Sequence, residues 1–487
     1  MSTKAKTHLQ RTGFLAEITQ QRQFLNIILV AFSLLLLFVP LPLGSNRMWA
    51  ASLVSVWLNL LLFVLLATWM AQPKLIESPF TPAVRGAAAI LLVVVAWIIL
   101  QTSWLVPNDW QHPLWQEAQR LLINQGLLKN PPLQGSIVLD ASATNFYLVR
   151  FLSYAASFWI ALLLGQDGRR AHILLGVIIV AELLYASYGF AIEISGTNKV
   201  LWFDKRSYID NMTSTFFNRN SYAAYAGLGL LSSCAYVFYR WRKVWRDSSM
   251  HFFWRDFLTT LASKEIYWLL LPVTMFTALV LSASRAGFAS CMVGISVLIL
   301  GLAINKHMPI IRVLAVVLGF IALGIGALMI GGNTLVERLN ANMVNEDFEM
   351  RLGVYKLTWE AIKANPWLGY GLGNFDTAFR MFRDPTVVGW FQEAHNEYLE
   401  MMMDLGIPMA MLWLSAIGLL IWRCLHGMVK RRKDGIFPVL ALAATTQEGL
   451  HSVLDFSLQI PAVAITYAAL LGLGVAQSRS SRTNPND

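Results

Sequence analysis

Twelve apolar runs divide this chain, and they constrain its fold more than any other feature. They lie near 24–43, 49–70, 84–105, 147–166, 171–194, 219–239, 266–284, 286–304, 310–331, 396–423, 436–454 and 457–477. A helix needs roughly 20 apolar residues to cross a hydrocarbon core. Within that core a helix pairs its own backbone polar groups. The runs therefore predict an all-α, polytopic membrane protein with about 12 transmembrane helices. Composition agrees: 56% of residues are hydrophobic, 14% are charged and mean hydropathy is +0.52. Soluble domains average about 45–50% apolar and about 25% charged. A soluble enzyme, a disordered chain and a collagen-like fibre are all excluded on these grounds. The first run lacks a small-residue cleavage site and reads as a retained span.

The net charge of +10 fits basic cytoplasmic loops better than nucleic-acid binding. With both termini placed inside, 23 of the 38 Lys and Arg fall on cytoplasmic segments, including the cluster Arg240, Arg242, Lys243 and Arg246. Residues 1–331 then hold nine spans, with outer loops at 106–146 and 195–218. Residues 332–395 form a large outer loop before the tenth span, and 396–487 hold the last three spans and a cytoplasmic tail. Leu114 to Leu128 reads as an amphipathic stretch lying along the interface. In the large loop, Leu352, Tyr355, Trp359 and Ile362 recur at helical spacing. Asn365-Pro366 should end that helix, and Gly369, Gly371 and Gly373 make a turn after it.

Charges close to membrane depth are costly, and so they need a reason. Arg219 stands at the outer mouth of the sixth span, flanked by the hydrogen-bonding Asn218 and Asn220. Arg285 occupies Ser282-Ala-Ser-Arg-Ala-Gly287, between two runs with almost no loop. Two outward arginines disobey the charge bias, which suggests that they hold an anion; interface snorkelling is the competing reading. Arg351 opens the loop helix beside Glu349, where a solvated ion pair is equally compatible.

His395 ends the large loop, in Ala394-His-Asn-Glu-Tyr-Leu-Glu400. An imidazole with an ordinary pKa of about 6.5 accepts a proton at neutral pH. Glu397, Glu400 and Asp404 follow on one helical face, to orient the histidine, to answer the arginines or to lock helices together. Glu448, His451 and Asp455 repeat that spacing at the end of the eleventh run. This set reads as acceptor-orienting support or as a packing triad; its spacing matches no strong zinc motif. No metal site and no cofactor is expected. The sequence contains no Walker-A motif, no nucleotide-binding glycine motif and no G-x-S-x-G elbow. Cys234, Cys291 and Cys424 lack metal or disulfide spacing. Trp367, Trp390 and Phe391 in the outer loop are candidates for stacking on sugars.

Several of these pieces, in order, resemble the O-antigen ligase and Wzy-type polymerase family of bacterial inner-membrane glycan transferases. They are Pro40-Leu-Pro-Leu-Gly-Ser-Asn-Arg47, Phe216-Phe-Asn-Arg-Asn-Ser-Tyr-Ala-Ala224, Ser284-Arg-Ala-Gly287 and Arg351. Further along come Asn365-Pro-Trp-Leu-Gly-Tyr-Gly-Leu-Gly-Asn374, the block around His395, and His451-Ser-Val-Leu-Asp-Phe-Ser-Leu-Gln-Ile-Pro461. The resemblance implies transfer of a glycan from undecaprenyl pyrophosphate to an acceptor hydroxyl at the periplasmic face, without metal. It implies as acceptor a lipid A–core for a ligase, or another carrier-linked repeat unit for a polymerase.

On that reading Arg219, Arg285 and Arg351 bind the donor pyrophosphate, because guanidinium groups are planar, multidentate and always charged. His395 is the general base or the group that orients the acceptor hydroxyl. Asn218, Asn220, Glu397, His451 and Asp455 support them. Two alternatives stand beside it. One is an O-linked oligosaccharyltransferase acting on protein. The other is a transporter or lipid flippase, which should show paired halves with broken helices near the midplane.

Overall fold

The computed structural model describes residues 23–73, 78–127, 134–241, 250–306, 341–385, 387–431 and 433–479. It is mostly helical. The helices are α1 (Gln23–Phe38), α2 (Met48–Ala71), α3 (Pro82–Thr102), α4 (Pro113–Asn124), α5 (Ala141–Leu164), α6 (Gly168–Ser195) and α7 (Arg219–Arg240). They continue as α8 (Met250–Leu261), α9 (Leu270–Leu281), α10 (Arg285–Lys306), α11 (Ala341–Ala364), α12 (Phe375–Phe379) and α13 (Glu397–Leu405). The last three are α14 (Ile407–Lys430), α15 (Ile436–His451) and α16 (Pro461–Ala476). One antiparallel hairpin, β1 (Lys199–Val200) with β2 (Phe203–Asp204), interrupts the segment between α6 and α7.

Among the described residues, seven helical stretches are long and apolar enough to cross a membrane: α2, α3, α5, α6, Lys264–Leu281, α10 and α14. α1 and α16 are apolar but shorter. The run at 310–331, expected as the ninth span, lies outside the described residues.

Burial sorts these helices. α16 is apolar on every side and buried along almost its whole length, packed against α5, α15 and α7. A helix with no polar face belongs in the middle of a bundle. α7 is also buried through most of its length and is rich in Ala, Gly and Ser, which lets neighbours approach closely. Ala223 of α7, for instance, meets Gly287 of α10 with no room for a further methyl group. By contrast only 17% of the most apolar window of α3 and 22% of that of α14 is buried, so these two form the rim.

The loop helix expected over 351–364 is present and begins earlier, at Ala341. It ends at Ala364, where Asn365-Pro366 was expected to stop it. The loop has a small core of its own, in which Val354, Ile362, Tyr370, Phe375, Phe379 and Met403 pack together.

The run at 396–423 is not one helix. It breaks at Gly406, leaving the acidic turn α13 separate from the apolar α14. A β-carbon on Gly406 would stand 2.4 Å from the Trp367 carbonyl oxygen; one on Gly369 would stand 2.4 Å from the Asp404 carbonyl oxygen. Both glycines have positive φ, +78° and +68°. Only glycine fits such crossing backbones. The break frees carbonyls at the end of α13, and each finds a donor. Tyr370 N–H donates to Met403 O (2.9 Å) and Gly371 N–H to Asp404 O (2.8 Å). From α3, Gln101 Nε2 donates to Asp404 O (3.0 Å) and Trp97 Nε1 to Leu405 O (3.0 Å). Satisfying these groups is what lets a helix stop here.

Candidate active site

The site is built on the loop that joins α15 to α16. Side chains from four helices, α5, α7, α11 and α13, grip this loop, α7 through Asn220. Tyr355 Oη donates to Val453 O (3.3 Å) and Arg351 Nη1 to Leu454 O (2.7 Å), both from α11. From α5, Tyr154 Oη donates to Gln459 O (3.1 Å), and Arg150 donates to the same carbonyl. From α13, Glu397 Oε2 accepts from Ser452 Oγ (2.7 Å) and Oε1 from the Leu458 N–H (2.6 Å). Glu400 Oε1 accepts from Gln459 Nε2 (2.7 Å).

Burial pushes the Glu397 carboxyl up to about 8, against the opposing pull of its Ser452 and Leu458 donors. Glu400 and Glu393 hydrogen-bond each other, and burial raises both. Two carboxyls side by side resist ionising together.

Asp455 sits at the centre of the loop with no solvent exposure. Its Oδ1 accepts from the Phe456 N–H (2.8 Å) and faces His395 Nδ1 at 4.0 Å. Its Oδ2 accepts from Asn220 Nδ2. Asn220 Oδ1 in turn accepts from Ser284 Oγ (2.8 Å). Asn218 caps α7 by accepting from the Asn220 N–H (2.8 Å), as short polar side chains do at helix starts. One polar chain thus runs His395–Asp455–Asn220–Ser284. Arg219 and Arg285 open α7 and α10 directly beside its last two members. In sequence Asn220 and Asp455 are 235 positions apart and Asn220 and Ser284 are 64 apart; folding gathers them.

Each arginine is held differently. The Arg219 guanidinium lies 5.2 Å from the Tyr208 ring centroid, and its Nη1 donates to Asn211 Oδ1 (3.5 Å). Arg285 is exposed at the start of α10. Arg351 reaches the Leu454 carbonyl, one residue from Asp455.

His395 takes a left-handed backbone, φ +53°, which is uncommon for a residue with a side chain. Tyr355 Oη holds its carbonyl at 2.8 Å, and Asn396 caps α13 immediately after it, accepting from the Tyr398 and Leu399 N–H groups at 3.1 Å. The ring lies edge-on to Phe456, 4.9 Å between centroids, and to Phe391, 6.2 Å. Burial lowers the pKa of His395 below its ordinary value; Asp455 opposes this and Arg351 adds to it. This shift favours the neutral ring, the form that can accept a proton. At 4.0 Å, Asp455 acts on it through charge rather than a formed hydrogen bond.

Two expectations about shared faces change. α15 ends at His451, so Asp455 does not continue its face; the Asp455 N–H instead bonds the His451 carbonyl (3.0 Å) in a turn. The His451 ring is buried, with neither nitrogen hydrogen-bonded among the described residues. Glu448 accepts from Gln447 Nε2 (2.9 Å). Glu397, Glu400 and Asp404 do share α13, but they brace backbone and loop: Asp404 Oδ2 accepts from the Gly373 N–H (2.7 Å). Glu397 and Glu400 thereby act on the loop that bears Asp455, and Asp404 on the glycine turn.

Phe456 also lines a neighbouring cavity of about 740 Å³, whose wall includes Arg47, Trp202, Lys205, Arg206, Tyr208 and Phe217. None of these was singled out as a site residue. The available signal was the alternation of aromatic and charged residues in Trp202-Phe-Asp-Lys-Arg206. Arg150, Tyr154 and Tyr355 were also missed as partners of the loop, and Ser284 as the partner of Asn220. They act through carbonyls and amides that carry no sequence signature.

Residues 270–414 match the family model described as O-antigen ligase (Wzy_C). A curated protein of Acinetobacter baylyi named general O-oligosaccharyltransferase is 28% identical over 147 residues. The match covers 30% of this chain and spans about a quarter (24%) of that relative's length. Arg285, Arg351 and His395 lie within the residues matched by that O-antigen ligase model, 270–414.

Proposed function

We propose that this protein is a membrane glycosyltransferase that moves a glycan from a polyprenyl (undecaprenyl) pyrophosphate carrier to an acceptor hydroxyl. The observation that carries the reading is the polar chain from His395 through Asp455 and Asn220 to Ser284, with Arg219 and Arg285 beginning helices at its far end. The acceptor oxygen attacks the anomeric carbon and its proton passes to His395. The bond from that carbon to the carrier phosphate breaks, and the growing charge on the pyrophosphate falls to Arg219, Arg285 and Arg351. Fixed guanidinium groups stabilise such charge without reorganising at the moment of reaction. Attack opposite the leaving group inverts the anomeric centre. Asp455 keeps the imidazole oriented and stabilises it once protonated. Asn218, Asn220, Glu397 and His451 hold this arrangement. The reaction runs at the periplasmic face of the inner membrane, with both termini cytoplasmic and the prenyl chain in lipid.

The match to the O-antigen ligase model supports this class of reaction. A lipid A–core or a carrier-linked repeat unit is the acceptor. A second reading is transfer to a protein hydroxyl; the Acinetobacter relative is named an O-oligosaccharyltransferase, a name that gives the oxygen linkage and not the acceptor. The test is transfer by purified protein with labelled carrier-linked glycan, offered each acceptor in turn, with and without EDTA. Release of carrier pyrophosphate with a larger glycoconjugate supports the proposal. Movement of carrier across a vesicle membrane with no bond broken refutes it and indicates a transporter. Arg219→Ala and Arg285→Ala should chiefly impair donor use.

A further inference from the structure

The cavity beside Phe456 carries a set of side chains that the transfer step leaves unused. Arg47 and Arg206 are exposed on its wall, which Lys205 also lines. Lys205 Nζ donates to the Asn211 carbonyl (2.9 Å), so it is already engaged. Asp204 is the carboxylate on the same wall, leaving the surface cationic overall. Three flat rings alternate with these charges. Trp202 comes from the tip of the β1–β2 hairpin and is 74% exposed. Tyr208 lies beneath the Arg219 guanidinium, and Phe217 lies 4.9 Å from the Arg47 guanidinium. Aromatic faces offer flat apolar area to the C–H face of a pyranose ring. Guanidinium groups take carboxylates and phosphates through paired hydrogen bonds. A volume of about 740 Å³ is in the range of a ligand pocket.

We propose that this cavity is a binding subsite for an anionic saccharide, a glycan segment bearing a carboxylate or a phosphate. Its sugar faces rest on Trp202, Tyr208 and Phe217, and its charge is held by Arg47 and Arg206. The proposal rests on the glycan-transfer reading and deepens it by naming the substrate class. Because Phe456 touches both the cavity and the His395 ring, the saccharide leads directly to the reacting bond. It belongs either to the donor glycan or to the acceptor.

The test has two arms. In the first, the full chain in detergent is titrated calorimetrically with trigalacturonate and with neutral maltotriose. Trigalacturonate should bind at least about tenfold more tightly, and added salt should weaken it. Arg47→Gln and Arg206→Gln should each weaken it by about tenfold, since a charge-assisted hydrogen bond is worth about that much. Arg47→Lys should restore part of the loss, and Trp202→Ala should weaken both sugars. Equal binding of the two sugars, no binding of either, or variants that bind trigalacturonate like the parent would each overturn the proposal. In the second arm, transfer is measured with the charge placed on the donor glycan alone or on the acceptor alone. Arg47→Gln should raise KM for whichever substrate occupies the cavity; a change in neither overturns the subsite. Absence of carrier pyrophosphate release by the parent protein would defeat the transfer reading by itself, leaving the binding arm to judge the subsite.

Discussion

Asn220 donates a hydrogen bond to the buried carboxylate of Asp455, 235 positions away in the chain. The contact ties the start of α7 to the loop before α16, and it does so with a side chain whose other end is held by Ser284. Asn220→Ala removes the donor while Asp455 stays fully buried. Stranding a buried acceptor costs about 1–3 kcal/mol, more when it is charged. The expected result is a lower thermal midpoint for the purified protein, together with slower transfer because Asp455 no longer faces His395. A parent-like melting curve and rate would remove this contact from the account of the site.

His395→Ala should lower the transfer rate by about 10²–10⁴-fold with expression unchanged, the usual contribution of a general base. The pH profile gives a sharper check. Burial lowers the His395 pKa, Asp455 opposes the shift and Arg351 adds to it. The rate should therefore hold through neutrality and fall on the acid side with a midpoint below about 6.5. Stability has the same sign: the folded ring binds fewer protons than the unfolded one, so this contribution grows as pH rises through that window. Asp455→Asn removes the opposing charge and should move the midpoint lower still. An acid limb centred above neutrality would contradict this assignment.

Glu397 behaves in the opposite sense. Its carboxyl is raised from 4.5 to about 8 by burial. A group with a raised folded pKa contributes stability that is complete below the unfolded value and is lost as pH rises through the folded one. Thermal midpoints should decline as pH rises from about 4.5 towards about 8 in the parent protein, and this contribution should level off above that. Glu397→Gln, which keeps an acceptor for the Leu458 N–H, should flatten that decline. A parallel decline in both proteins would assign the effect to another group.

Gly369 and Gly406 should not tolerate alanine. Each combines a positive φ with a neighbouring backbone atom 2.4 Å from where the methyl group would stand. The strain alone costs about 1–3 kcal/mol, and the clash adds to it. Fluorescence-detected size exclusion should show little monodisperse Gly406→Ala protein. Gly418→Ala is the control: it lies on α14 with nothing within 4 Å, and should leave yield unchanged or improved.

The helical runs were legible because apolar length is written directly into sequence. The expected bounds 49–70 and 171–194 became Met48–Ala71 and Gly168–Ser195. The break at Gly406 was hidden. Met401-Met-Met403 on one side and Ile407-Pro-Met409 on the other read as one apolar run, and nothing local announces that another glycine turn crosses there. The candidate site residues were chosen from their cost: Arg219, Arg285 and His395 are polar groups where polar groups are expensive. Their partners were not legible. Arg351 reads as a partner for Glu349, yet it holds the Leu454 carbonyl. Asp455 reads as a continuation of a helical face, yet the helix stops at His451 and a turn delivers the carboxylate to Asn220. Such pairings depend on which helices neighbour one another, and apolar periodicity does not encode that.

The Gly406 break also bears on biogenesis. Had the helix run on unbroken, three carboxylates would have entered the bilayer together with the apolar segment behind them. With the chain turned at Gly406, the insertion machinery meets Ile407–Lys430 as an ordinary greasy span. The acidic turn is held instead by a glycine loop and the Gln101 amide. A substitution that disturbs those contacts, and leaves Ile407–Lys430 untouched, is therefore expected to spare insertion while misplacing the acidic turn.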